Sequence, residues 1–186
     1  PIYRVPFFQA LASQCQDGLG IFAGWPRRDE MVENRLSVPG SVIVPAHNWH
    51  LFKGTSYACW QFGLIRWLES WRPDALILEA NPRYLHTPKA IHWMHARGCP
   101  VIGWGLGAPE MNGVLAGQRA QLRRNFITQF DALITYSAQG KEQYAAAGFN
   151  PERIFVARNA AAPRPTTPAP LRPDQLPIGE AVVLYV

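Results

Sequence analysis

The chain has 186 residues, 48% of them hydrophobic, with a formal net charge of +5 and a pI near 9.4. That length buries one full core and leaves a second complete domain cramped. The positive balance draws anions, but most of it is scattered Arg, and Lys occurs only at 53, 89 and 141, which argues against a Lys-rich nucleic-acid stripe and for discrete hydrogen-bonding sites.

Cys15, Cys59 and Cys99 are too widely and irregularly spaced for a disulfide framework or a paired-thiol metal site, so a reducing, cytoplasmic setting is expected. No apolar run approaches the ~18 residues needed to span a bilayer. Apolar residues at Val5, Phe8, Leu11, Ala12 and Cys15 trace a helical stripe stopped by Gly18. Leu19 to Ala23 reads as a strand, 24–35 as a polar loop, and Ser41 to Val44 as a further strand whose end at Pro45 is expected at a sheet edge. His47 and His50 flank Trp49 in what reads as a loop, by local packing or as a rim. Trp60, Leu64, Trp67 and Trp71 recur at helical spacing with Phe62, Ile65 and Leu68 on another face, predicting a mostly buried helix.

Ala75 to Ala80 is an apolar strand. Thr87-Pro88 is a cap and first-turn proline opening a helix that Gly98 ends, and Val101 to Trp104 is the next strand. A helix follows over 114–129, with Leu115, Leu122 and Phe126 expected to face the sheet. Ala132 to Tyr136 is a strand of the kind covered on both faces, Ser137 caps the following helix, Gly148 closes it, and Ile154 to Ala157 is a last buried strand. Strands alternating with helices of this length predict an α/β fold with a parallel sheet wrapped on both faces. Residues 160–180 hold six prolines and predict a stiff, extended connector, and Ala181 to Val186 is one more apolar strand.

The order of strand, Ser-capped helix, Gly, Pro-Glu-Arg-Ile and strand ending in Asn over 131–159 resembles the stretch closing the N-terminal half of family 4 glycosyltransferases of the GT-B fold. Tyr3-Arg4-Val5-Pro6-Phe7-Phe8 is similar to the start of the first helix in relatives reading P-x-Y-R-V-P-x-F. The chain departs from that pattern at Ala160, where Gly is usual, and at Leu106, where some relatives place a His, so no catalytic base carries over. The resemblance implies a Rossmann-like doubly wound parallel sheet, the acceptor-side half of a GT-B enzyme truncated at both ends. It implies that 1–159 form the acceptor-side domain without its central first strand, and that 181–186 begin an absent donor-binding domain. The whole enzyme would be a retaining transferase moving a sugar from a nucleotide-diphosphate sugar to a glycan or lipid-linked acceptor, usually without a metal, and this part alone would be inactive and hold no cofactor.

In open parallel sheets ligands gather at the carboxyl ends of the strands. Glu79, Asn81, Arg83 and Tyr84 form the densest polar group at such an end, fit to grip a polyol or phosphate, against the plainer reading of a polar loop with a structural Asn turn. Trp104 and Gly105 are further acceptor-site candidates, as a stacking ring and a close-approach glycine, against the plainer reading of a strand end packed on a helix. Tyr3, Arg4, Tyr136, Ser137 and Asn159 are expected to line the cleft. Arg119, Arg123 and Arg124 read as a solvated basic face or, more sharply, as a peripheral contact with anionic lipid on the inner membrane face. His92, His95 and Cys99 are poorly spaced for a metal, and none is expected, nor is nucleic acid. Two alternatives stand beside the transferase: a free-standing α/β binding module, and an NAD-dependent enzyme using Gly103-x-Gly105-x-x-Ala108 as a relaxed dinucleotide fingerprint.

Overall fold

The computed structural model describes residues 4–27, 37–158 and 166–168. Tyr3, Asn159, most of the Pro-rich connector and the apolar run 181–186 lie outside the described residues. Pro6 sits in the first turn of helix α1 (Val5–Ala12), where its missing N–H has no intrahelical partner to lose. There follow β1 (Leu19–Gly24), β2 (Ser41–Leu51), β3 (Ala58–Phe62), α2 (Leu64–Trp71), β4 (Leu76–Glu79), α3 (Thr87–His95), β5 (Val101–Gly105), α4 (Ala116–Ile127), β6 (Ala132–Thr135), α5 (Ala138–Ala146) and β7 (Ile154–Val156).

The strands form two sheets, β1-β2-β3 and β4-β5-β6-β7. The second is parallel throughout, as expected of short apolar strands joined by helices. The main core lies between it and its helices: Leu68 of α2, Met94 of α3, Val101 of β5 and Leu133 of β6 are all fully buried. Each such side chain contributes about 1.5–3 kcal/mol relative to exposure. A cavity of about 1600 Å³ is lined both by Leu19–Ala23 of β1 and by Ala75–Ala80 around β4.

Four expectations need correction. β2 does not stop at an edge at Pro45 but runs on to Leu51 in the middle of its sheet. It pairs with β1 over 41–46 and with β3 only from His47 onward, so among the described residues one flank of Pro45 carries no strand and a residue without an N–H is tolerated. Trp60 and Phe62 belong to β3 rather than to the helix: Gly63, with φ of 83°, turns the chain out of the strand, and α2 starts only at Leu64. His47, Trp49 and His50 accordingly lie on a strand rather than in a loop. Thr87 is the first residue of α3 and buried, while His86 takes the cap position without a side-chain bond.

Candidate functional site

The loop after β4 is built by its own asparagine. Asn81 Oδ1 accepts a hydrogen bond from the Arg83 N–H at 3.1 Å, an Asx turn, and Asn81 Nδ2 donates to Glu79 Oε1 at 3.4 Å. The Asn81 N–H donates to the Glu79 carbonyl at 2.8 Å, and the Tyr84 N–H donates to the Asn81 carbonyl at 3.2 Å. Both readings of Asn81 therefore meet in one residue, since its amide shapes the loop at the strand end where a ligand would lie. Burial, the Glu79 carboxylate and a hydrogen bond to that carboxylate push the Tyr84 phenol far above its ordinary range. Tyr84 is thus a neutral donor that fixes Glu79, while the Arg83 side chain is exposed.

At the ends of β5 and β6 a second cluster forms around Arg4 of the α1 entry. Its guanidinium donates to Tyr136 Oη at 2.8 Å and lies 5.0 Å from the centre of the Trp104 ring and 5.7 Å from that of Tyr136. The Trp104 ring has Phe7 of α1 at 4.8 Å and Tyr136 at 5.7 Å, so the indole is largely occupied by protein neighbours. Its Nε1 is buried and bonds no described group. At Gly105 an added Cβ would meet the Tyr144 hydroxyl and, at 3.3 Å, Ala80. At Gly107 it would meet Gln143 and, at 3.0 Å, Gly140. These glycines make room for α5. No helix opens after β5 before Ala116, so the helix N-terminus that a dinucleotide fingerprint needs is absent there, and the NAD-dependent reading loses its support.

The cavity brings together Arg4, Glu79, Asn81, Arg83, Trp104, Gly105 and Tyr136. Tyr84 and Ser137 are not among its lining residues: Tyr84 hydrogen-bonds Glu79, and Ser137 Oγ accepts the Gly140 N–H at 3.0 Å as the α5 cap. Arg119 and Arg123 line the same cavity, a placement missed when α4 is read as a solvated face. Arg123 donates to the Pro109 carbonyl at 2.6 Å, whereas the Arg124 side chain lies against Gly148, 3.5 Å from where a Cβ would stand. Leu115 and Leu122 do not face the sheet: they are 50% and 69% exposed, and only Phe126 and Ile127 of α4 are buried. The apolar spacing along α4 is real, but only its last turn packs on the sheet.

Chemically, the guanidinium groups of Arg4, Arg83, Arg119 and Arg123 with the held Glu79 carboxylate suit a polyhydroxy ligand bearing an anionic group, and Arg72, Asp17 and Asp74 line the same cavity. Among the described residues no three His, Cys, Asp or Glu side chains converge as a metal site requires, and no helix is long and apolar enough to cross a membrane. His95 is committed to Asp131, its Nε2 2.9 Å from Oδ2.

The family described as "Glycosyl transferase 4-like domain" matches residues 10–160. The chain belongs to this family. No curated protein matches it. As a glycosyl transferase 4-like domain it has the α/β architecture and the parallel sheet expected from its sequence, and the sugar-transfer class follows from the family rather than from any one residue.

Proposed function

We propose that this glycosyl transferase 4-like domain is the acceptor side of a retaining transferase that moves a sugar from a nucleotide-diphosphate sugar to a glycan or lipid-linked acceptor. The observation that carries the acceptor assignment is the convergence of Arg83, Asn81 and Glu79 from the β4 end with Arg4 from α1 in one cavity. Arg83 contacts an anionic or hydroxyl group of the acceptor, the Tyr84–Glu79 pair offers a fixed hydrogen-bond acceptor to a sugar hydroxyl, and Asn81 holds the loop in place. Donor phosphates are held by a second domain joined through 160–180, so the 186 residues alone do not transfer sugar. Arg119 and Arg123 steer an anionic acceptor toward the cavity at the inner membrane face.

The test is acceptor kinetics of the enzyme carrying Arg83→Ala. Losing a charge-assisted hydrogen bond costs ~1.5–3 kcal/mol, so turnover per acceptor falls roughly ten- to a hundredfold, while donor hydrolysis and the melting temperature hold. Unchanged acceptor kinetics in a folded Arg83→Ala enzyme removes the loop from the site. A second reading, a free-standing binding module, predicts that the full-length protein transfers no sugar from any nucleotide-diphosphate sugar.

A further inference from the structure

The last pair between β1 and β2 is Gly24 with Ala46, and from His47 onward β2 pairs instead with β3, down to Leu51 with Ala58. The β2–β3 hairpin therefore projects past the carboxyl end of β1, the edge of the sheet at which ligands of open parallel sheets collect. Directly opposed residues of an antiparallel pair share a face. His47 opposite Phe62 and Trp49 opposite Trp60 thus put four rings on one side of the hairpin.

Those rings touch one another. Trp49 and Phe62 meet edge to face at 5.6 Å, while Trp60 and His47 lie tilted against Phe62 at 6.3 Å and 5.7 Å. They are also open to solvent, with Trp49 59%, Phe62 40% and Trp60 39% exposed. Contiguous exposed apolar surface on a small domain marks an interaction site. The opposite face is engaged with the hairpin's own neighbours: Gln61 Nε2 donates to Asn48 Oδ1 at 3.2 Å, and His50 Nδ1 lies 2.8 Å from Tyr57 Oη. Those bonds hold the strand pair in register on the side away from the aromatic rings.

We propose that this face is a platform for neutral pyranose rings, the part of a glycan acceptor lying beyond the sugar held by the β4 loop. The proposal rests on the acceptor reading above. Three features choose this occupant. None of the four side chains carries a fixed charge to pair with a charged peptide or a lipid head group. The rings are inclined to one another by 57° and 73°, giving separate faces for the C–H surfaces of successive sugars rather than one flat sheet. The platform is also continuous with the candidate site, because Trp60 packs at 4.2 Å on His86, the residue that follows the 81–85 loop.

The experiment is ligand-observed NMR on the 186-residue chain with glucose, maltohexaose and cellohexaose as probes, alongside sedimentation with phosphatidylcholine vesicles. A hexasaccharide is expected to bind more tightly than glucose. Trp49→Ala and Trp60→Ala should each weaken hexasaccharide binding roughly tenfold, the worth of one ring contact. Phe155→Ala, an exposed aromatic residue on β7, should leave it unchanged. If an alanine variant does not fold, Trp49→Phe against Trp49→Leu decides, the ring-bearing variant retaining binding and the aliphatic one losing it. Equal binding by wild type and the Trp variants overturns the platform, as does Trp49-dependent vesicle binding without saccharide binding. If Arg83→Ala still loses acceptor turnover in that case, the platform falls alone and the acceptor loop stands.

Discussion

Cys59 and Tyr84 join the two sheets through an isolated parallel bridge: the Cys59 N–H donates to the Arg83 carbonyl at 2.8 Å, and the Leu85 N–H donates to the Cys59 carbonyl at 3.0 Å. The loop at the carboxyl end of β4 is therefore pinned to β3 by two backbone hydrogen bonds, which place the polar groups of the candidate site. The Cys59 side chain is fully buried at this seam. Cys59→Leu overfills it and is expected to cost ~1–3 kcal/mol, read as a lower urea midpoint with an unchanged slope. Cys15 and Cys99, both half-buried, should react with a thiol reagent in the native protein before Cys59 does.

The α5 cap gives a second expectation. Ser137 is in an extended conformation, and its hydroxyl takes up the Gly140 N–H, one of the orphan donors of a helix start. Ser137→Ala should cost ~1 kcal/mol, a fall in melting temperature of about 2–4 °C for a chain of this size. Ser137→Asp, which restores an acceptor, should recover most of it. Equal melting temperatures for all three proteins would show that another group takes over the cap.

The parallel half of the fold was legible because its signals are local. Leu133 and Thr135 are fully buried on a four-residue strand, and such strands appear in sequence as short apolar runs bounded by caps and glycines. β3 was not legible, since Trp60, Leu64, Trp67 and Trp71 mimic a single helical stripe and only the left-handed turn at Gly63 separates strand from helix. The polar loop of Glu79, Asn81, Arg83 and Tyr84 could be picked out by its position after a strand. The arrival of Arg119 and Arg123 at the same cavity could not, because it depends on how far α4 stands off the sheet. The aromatic face stayed hidden for the same reason as β3: without the strand pairing, His47, Trp49, Trp60 and Phe62 have no common side.

Asp131 links the start of β6 to β5 and α3, and it predicts a pH dependence. Burial opposes its ionisation, but the Val101 N–H, donating at 2.7 Å, and the His95 ring outweigh burial and hold its carboxyl below the ordinary 3.8. A carboxyl depressed in the folded state adds stability above its unfolded value, and that stability is lost as pH falls through the folded value. Asp131→Asn should therefore be less stable than wild type at neutral pH, with the gap closing as pH drops below about 4. Urea midpoints of the two proteins across that range check it, and a gap independent of pH would assign the effect to packing.

Two glycines in helices should respond to the same substitution with opposite signs. Gly117 in α4 has open space around it, so Gly117→Ala gains helix propensity and loses nothing, a stabilisation of up to ~1 kcal/mol. Gly140 in the first turn of α5 is buried, and a Cβ there would meet Thr135 Oγ1 and stand 2.7 Å from the Leu106 carbonyl. Backbone cannot retreat as a flexible side chain can, so the propensity gain is outweighed by overpacking, and Gly140→Ala should cost ~1–3 kcal/mol. The same clash pushes on the 105–107 turn that borders the cavity, so acceptor affinity should fall with stability in Gly140→Ala and stay constant in Gly117→Ala. Thermal melts of both variants with acceptor titrations decide the point, and a Gly140→Ala protein as stable as wild type would mean that α5 can move off the β5 end without loss.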